Sequence, residues 1–410
     1  MNDEGSAISD RPAVSDWATD FDHLSNEWAT RGPEILADLR ERCPVAHTDR
    51  FHGAYLVTRY DDITEVARQT DTFSSRITLI NDNHPDNVKL VLPPITLDPP
   101  DHGPIRRALL PSFNPSEMAA LEPWVRDVTK RLLDDLIGRE LVDGALDFGQ
   151  LLPVEVMAHL FGVSPDLGPT FRGWVNGMLK DGLVDLDIAR RANREIQAYF
   201  AEQLAQRRLD PKDDLVTTVL NAEAHEPDGT TRPFTERERI GSLYLLMLGG
   251  IDTTWSSLGS ILFHLATHPD DLARLAGSPE LMPSAVEEFL RFYSPVTIAR
   301  VITDDAEIAG CPVSAGQRLL LSYPSANRDE THFDRPNEVV LDRENNRHVA
   351  FGVGVHRCLG SNLARMELQV GLELWLDRYP RFELAVDPAE IVWSFGPVRG
   401  PRSVPLRILA

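Results

Sequence analysis

Cysteine is scarce in this chain: three in 410 residues, Cys43, Cys311 and Cys358. That number excludes a disulfide scaffold and fits a chain kept reduced in a cytoplasm. Basic residues are in deficit as well, 41 against 63 acidic, for a formal net charge of −22. Such a surface disfavours nonspecific binding of nucleic acid or anionic lipid, while leaving room for a local basic patch. Long hydrophobic runs are missing too. The longest, Leu243 to Ile251, is about half of what a bilayer core needs and is closed by Asp252. Met1 to Asp10 has neither the basic start nor the apolar stretch of a secretory signal. The expectation is a cytoplasmic protein with no membrane span. No repeat, low-complexity tract or linker divides it, and a 42% hydrophobic content is ample for a large core.

Ala54 to Val57 with Thr58 reads as a short strand, and Asp61 to Gln69 as a helix. Helical periodicity then dominates, over Met118 to Leu136, Val154 to Phe161, Ile188 to Arg208 and a long stretch from Thr235 to His268. Strand-like pieces return at Val296 to Ile302, Arg318 to Ser322 and Val404 to Ile408, separated by Pro and Gly. The pattern predicts one mainly α domain with small β-sheets.

Near the end stands Phe351-Gly352-Val353-Gly354-Val355-His356-Arg357-Cys358-Leu359-Gly360, followed by a helical run through Leu363, Ala364 and Met366. Taken alone, Cys358 reads as readily as an inert buried thiol at a turn. In the long helix, Gly249-Gly250-Ile251-Asp252-Thr253-Thr254 places poor helix formers where stability alone would not select them. Taken alone, that segment reads equally as a kink in which Thr side chains bond back to carbonyls. Glu288 and Arg291 stand one helical turn apart, a spacing common in surface ion pairs.

Together these three segments resemble the cytochrome P450 family, from about Thr30 to the C-terminus. The resemblance implies a 1–30 N-terminal extension and a single 31–410 domain of the P450 fold binding heme b, with Cys358 as the thiolate ligand of the iron. A thiolate donor pushes electron density across the iron and favours O–O cleavage. Phe351 is implied to shield the sulfur, and Gly352, Gly354 and Gly360 to let backbone N–H groups approach it, with the helix N-terminus behind. The long helix is implied to open locally, Thr253 hydrogen-bonding dioxygen and Asp252 relaying protons from solvent.

By the same resemblance His102, Arg106, Arg300 and His356 hold the heme propionates, for which the Arg fork is well suited; each reads alternatively as a solvated base. Glu288 and Arg291 are tied to a downstream arginine, here Arg343, although Val339 stands where the family commonly has Phe. The substrate pocket is placed on the 77–97 loop (Leu90, Leu92), on Leu245 and Leu248, on Val296 and Ile298, and on the turn carrying Phe395 and Val398. These are apolar walls for a small or medium apolar substrate, though several read equally as ordinary core.

The implied activity is an O2-dependent monooxygenase that hydroxylates or oxidatively O-dealkylates. Its electrons come from an acidic ferredoxin and an NAD(P)H-dependent reductase, docked on Arg106, Arg107, Arg347, Arg357 and Arg365. Three of those five read equally as already engaged by heme or by intramolecular carboxylates. An H2O2-using peroxygenase and a heme-binding sensor without turnover are the alternatives, and the acid–alcohol pair disfavours both.

Overall fold

The computed structural model describes residues 11–82 and 90–409. The acidic start, the middle of the 77–97 loop and Ala410 lie outside the described residues. The chain runs through α1 (Asn26–Arg42), β1 (Val45–Thr48), β2 (Ala54–Val57), α2 (Tyr60–Val66) and β3 (Phe73–Ser74). It continues with α3 (His102–Leu109), α4 (Pro115–Asp134), β4 (Leu141–Asp143), α5 (Leu151–Leu160), α6 (Gly168–Leu179), α7 (Leu186–Leu209) and α8 (Leu215–Leu220). After the hairpin β5–β6 (Glu223–His225, Thr231–Pro233) come α9 (Glu236–Thr267), α10 (Pro269–Gly277) and α11 (Met282–Phe292). The last part holds β7 (Thr297–Ile302), β8 and β9 (Ala306–Ile308, Cys311–Val313), β10 (Arg318–Ser322), α12 (Tyr323–Ala326), α13 (Ser361–Arg378), β11 (Phe382–Leu384) and β12 (Pro405–Ile408).

The protein is mainly α with small sheets, as its patterning implies. Helix α9, 32 residues and about 48 Å long, is the axis of the fold. Its start is set by a capping box: Glu238 N–H donates to Thr235 Oγ1, and Thr235 N–H donates to Glu238 Oε2 at 2.6 Å. Pro269 follows its C-cap, His268. Leu243, Ile251, Leu258 and Leu262 are fully buried on it, because α5, α7, α8, α11 and α13 pack around it.

A five-stranded sheet, ordered β1-β2-β10-β7-β3, stands to one side of this bundle, with β2 and β10 parallel and the other pairs antiparallel. All five residues of β10 are buried, as befits a central strand. Strands β11, β12 and β4 form a second, antiparallel sheet.

Residues 11–30 correct the expectation of an extension. Phe21 and Leu24 are wholly buried and Trp28 nearly so, in a cluster they share with Leu56, Ala299 and Phe395. That much apolar surface cannot be left in water, so this segment belongs to the domain. Among the described residues no helix is long and apolar enough to cross a membrane.

Candidate active site

A cavity of about 250 Å³ separates α9 from the loop that precedes α13. On the α9 side it is lined by Leu245, Gly249, Thr253 and Ser257, four residues apart, with Leu246, Gly250 and Thr254 beside them. The two glycines serve different ends. A Cβ on Gly249 would meet nothing within 4 Å, so its bareness widens the cavity, whereas a Cβ on Gly250 would lie 2.5 Å from the Met157 sulfur of α5. The local opening expected here is not a break, since α9 is continuous through the pair. Instead Thr253 Oγ1 donates to the Gly249 carbonyl at 2.7 Å, and Ser257 Oγ to that of Thr253 at 2.8 Å. While its proton is turned back into the helix, the Thr253 hydroxyl is free to accept from the cavity side.

Asp252 points elsewhere. Neighbouring helical residues are about 100° apart, so Asp252 and Leu248 share the face turned away from the cavity, and neither lines it. The Asp252 carboxylate is buried against Arg402, whose Nη1 donates to Oδ1 at 2.6 Å and Nη2 to Oδ2 at 3.5 Å. Arg402 in turn lies over the Trp255 ring, 4.8 Å from its centroid.

On the opposite wall the cysteine loop is folded tightly. Cys358 N–H donates to the Phe351 carbonyl at 2.7 Å, and Gly352 and Gly354 take φ values of +67° and +69°. These left-handed conformations are strained for any residue with a Cβ, which at Gly352 would also press on the Tyr323 hydroxyl at 3.1 Å. Cys358 and Gly360 both line the cavity, and Cys358 keeps exposed surface. Burial pushes the thiol pKa up, opposed by a hydrogen bond from the Gly360 backbone and by the charges of Arg106, Arg357 and Arg365. Phe351 lies beneath the Arg365 guanidinium, 4.5 Å from ring centroid to Cζ.

His102, Arg106, Arg300 and His356 line the same cavity. The two imidazoles meet edge to face at 4.4 Å, and His356 Nε2 shares a hydrogen bond of 2.9 Å with Ser75 Oγ. Burial first, then nearby arginines, pushes His102 down to about 4 and His356 to about 3. His102 Nε2 is buried without a partner, and Arg300 makes one hydrogen bond, to the Ala299 carbonyl, and no ion pair among the described residues. Two arginines and two neutral imidazoles short of acceptors, beside an accessible thiol and a bare glycine, fit a flat macrocycle bearing two carboxylates.

Of the apolar walls expected, Leu245, Val296 and Ile298 are in place. Leu90 and Leu92 are not, because their segment lies against α9 at Gly241, where a Cβ would sit 2.5 Å from the Val91 carbonyl; this turns Leu92 into the core and leaves Pro94 and Ile95 at the cavity. Phe395 packs into the N-terminal cluster, and Val398 supports Val296 from behind through a β-bridge. Glu367 lines the cavity unexpectedly: it is wholly buried, neither carboxyl oxygen has a partner, and burial pushes its pKa well up. Its one sequence signal is a lone acid on the helix face shared with Leu363, Val370 and Gly371.

Behind the cysteine loop, Glu288 is enclosed by Arg291 (both carboxyl oxygens, 2.8 Å each), Arg343 (2.8 Å), the Val340 N–H (2.8 Å) and Asn346 (3.2 Å). Arg343 is therefore brought to this acid even though Val339 replaces the family's usual Phe. Of the five arginines expected at a docking face, Arg365 is taken by Glu287 through two bonds, 2.6 and 2.9 Å. Arg107, Arg347 and Arg357 stay exposed, and Arg106 is half-buried with a bond to the Arg357 carbonyl.

The family model "Cytochrome P450" matches residues 186–276 and 279–394. The chain is 30% identical over 389 residues to the polyketide biosynthesis cytochrome P450 PksS of Bacillus subtilis, covering 91% of this chain and 95% of that one. The PksS structure superposes with a TM-score of 0.86, at 29% identity, over 95% of this chain and all of that one. Mycinamicin IV hydroxylase/epoxidase of Micromonospora griseorubida is 31% identical over 380 residues (90% and 94% coverage). Linalool 8-monooxygenase of Pseudomonas putida is 31% identical over 369 residues (86% and 89%). A helical fold built around one long helix, with a thiol loop facing a hydroxyl across a cavity, together with these matches, defines a heme-thiolate oxygenase. The chain belongs to the cytochrome P450 family, as a monooxygenase of the bacterial type with heme b as its cofactor.

Proposed function

We propose that this P450 inserts one atom of O2 into a small or medium apolar substrate, by hydroxylation or by hydroxylation followed by loss of an O-alkyl group. In the balance, substrate, O2, two electrons and two protons give hydroxylated product and water. One observation carries the reading: the Cys358 thiol and the Thr253 hydroxyl line one cavity, whose apolar lining includes Leu245, Leu246, Val296 and Ile298. Few polar groups besides α9 hydroxyls and Glu367 are available to a substrate there, so it is held mainly by area.

Heme, when bound, supplies the site of O2 binding and reduction, with Cys358 as its thiolate ligand. The chain's own residues do the rest. Arg106, Arg300, His102 and His356 hold the propionate side, and Phe351 with Arg365 covers the sulfur. Thr253 accepts a hydrogen bond from the cavity and so fixes a proton there. Asp252, paired with Arg402, carries protons inward from the outer face of α9. Glu288, Arg291 and Arg343 keep the loop in place.

The chain works in the cytoplasm with an acidic ferredoxin and its NAD(P)H-dependent reductase, docking on Arg106, Arg107, Arg347 and Arg357. Arg357→Glu raises the apparent KM for ferredoxin and leaves substrate binding unchanged; an unchanged ferredoxin titration removes Arg357 from the interface. Turnover under 18O2 with reductase and ferredoxin is the direct test, and one labelled oxygen per product is expected. Product formed only with H2O2, without label from 18O2, would make the protein a peroxygenase, and no product from any spin-shifting ligand would favour a sensor.

A further inference from the structure

Behind the wall of the reaction cavity lies a second, smaller one of about 30 Å³, bounded by α1, the end of α11, the start of α12 and the 396–399 turn. The chain between α11 and β7 alternates between the two. Pro295, Val296 and Ile298 face the reaction cavity, whereas Ser294 and Thr297 face the small one. Its volume is enough for one or two water-sized particles, about 10–15 Å³ being needed for each.

Three arginines line this space, Arg40, Arg328 and Arg399. Arg40 has a distant carboxylate, Glu330, at 3.5 Å, with Glu330 itself 57% exposed. Arg328 and Arg399 have no carboxylate within 4 Å among the described residues, although Glu34 acts on Arg399 from further away. Arg328 donates twice to the Phe292 carbonyl, at 3.2 and 3.0 Å, and lies 3.8 Å over the Phe292 ring. Arg399 donates to the Ala29 carbonyl at 3.1 Å and lies 4.2 Å over Trp393. Burial pushes both down to about 10, so both are ionised at neutral pH. Arg399 Nε and the Ser294 hydroxyl are buried without acceptors, Ser294 being 3% exposed. Enclosed cations repel one another and are costly to leave unpaired. Three arginines and the Ser294 hydroxyl thus line a space that no carboxylate lines among the described residues.

We propose that this cavity binds a chloride-sized monoanion, held by Arg328 and Arg399 with the Ser294 hydroxyl as a third donor. Sulfate or a metabolite carboxylate exceeds the space. The anion would brace the substrate-cavity wall from behind, because Arg399 N–H donates to the Pro295 carbonyl at 2.8 Å, Thr297 N–H to that of Pro397 at 3.0 Å, and Val296 bridges Val398.

Crystals of the heme-loaded protein soaked in potassium bromide should show an anomalous peak between Arg328 and Arg399. In solution, replacing potassium gluconate by potassium chloride at fixed ionic strength should raise Tm saturably, by about 1–3 °C. Arg399→Gln should lose that rise while the salt response common to both anions persists. If Arg399→Gln does not fold, Ser294→Val, which keeps both cations and removes one donor, should weaken the chloride midpoint severalfold. A water in place of bromide, or equal Tm values in the two salts, overturns the proposal.

Discussion

Arg402 holds Asp252 on the outer face of α9, at 2.6 Å, so the acid of the acid–alcohol pair is tethered outside the cavity that its neighbour Thr253 lines. The Asp252 and Arg402 side chains are 1% and 12% exposed, and breaking such a pair from one side costs about 3–5 kcal/mol because a buried charge is left behind. Arg402→Gln should therefore lower stability to chemical unfolding more than the double variant Arg402→Gln/Asp252→Asn, which leaves no charge. Equal losses would mean that the pair is held by solvent rather than by its own contacts.

Thr253→Ala and Asp252→Asn should part in their kinetics. In the proposed mechanism Thr253 fixes a proton at the cavity, so its loss should leave NADH consumption running while product per NADH falls by at least about tenfold and H2O2 rises. In the same mechanism Asp252 lies on the supply side, so Asp252→Asn should lower NADH consumption itself. NADH, H2O2 and product measured together decide it, and full coupling in Thr253→Ala reduces that residue to a helix back-bond.

Glu288 gathers five hydrogen bonds and two guanidinium groups in a site with no solvent exposure. Glu288→Gln leaves Arg291 and Arg343 uncompensated, with a cost of about 3–5 kcal/mol. The yield of heme-loaded protein per total protein should drop steeply. Wild-type heme content in Glu288→Gln would show that the cysteine loop does not depend on this cluster.

Burial holds Glu367 well above its ordinary 4.5, which means that it stays protonated when the unfolded chain ionises. A carboxyl raised in the folded state costs nothing below about pH 4.5, and its penalty grows as pH rises above that. Glu367→Gln should accordingly match wild type near pH 4 and become progressively more stable relative to it towards pH 8. Unfolding midpoints across that range, with the protonated-carboxyl infrared band of wild type as a second readout, would expose an ionised Glu367 by a flat difference.

Helices α4, α5, α7 and α9 were legible because their apolar periodicity is sustained and their ends carry caps such as Asn114, Asp185 and Thr235. Helix α1 was hidden by Gly32 and Pro33 within it, and α6 by glycines, one of which, Gly177, lets α7 approach so that a Cβ would sit 3.0 Å from Ala192. Packing overrides propensity at both places. Within the site, the loop around Cys358 and the pair Asp252–Thr253 stood out because their residue types contradict local stability. Arg402 carried no such mark: it lies in an irregular stretch, and only the tertiary fold brings it to Asp252, 150 positions away. The pocket walls were misjudged where helical phase or a close backbone approach decides, as at Leu248 and Leu92.

Every role proposed for the cavity depends on Cys358 being the thiolate ligand of the heme iron. The carbon monoxide difference spectrum of the reduced protein tests it most directly, in wild type, Cys358→Ala and Cys43→Ala. The thiolate-type Soret band should be present in wild type and in Cys43→Ala and absent from Cys358→Ala; its survival in Cys358→Ala with loss in Cys43→Ala would contradict the account.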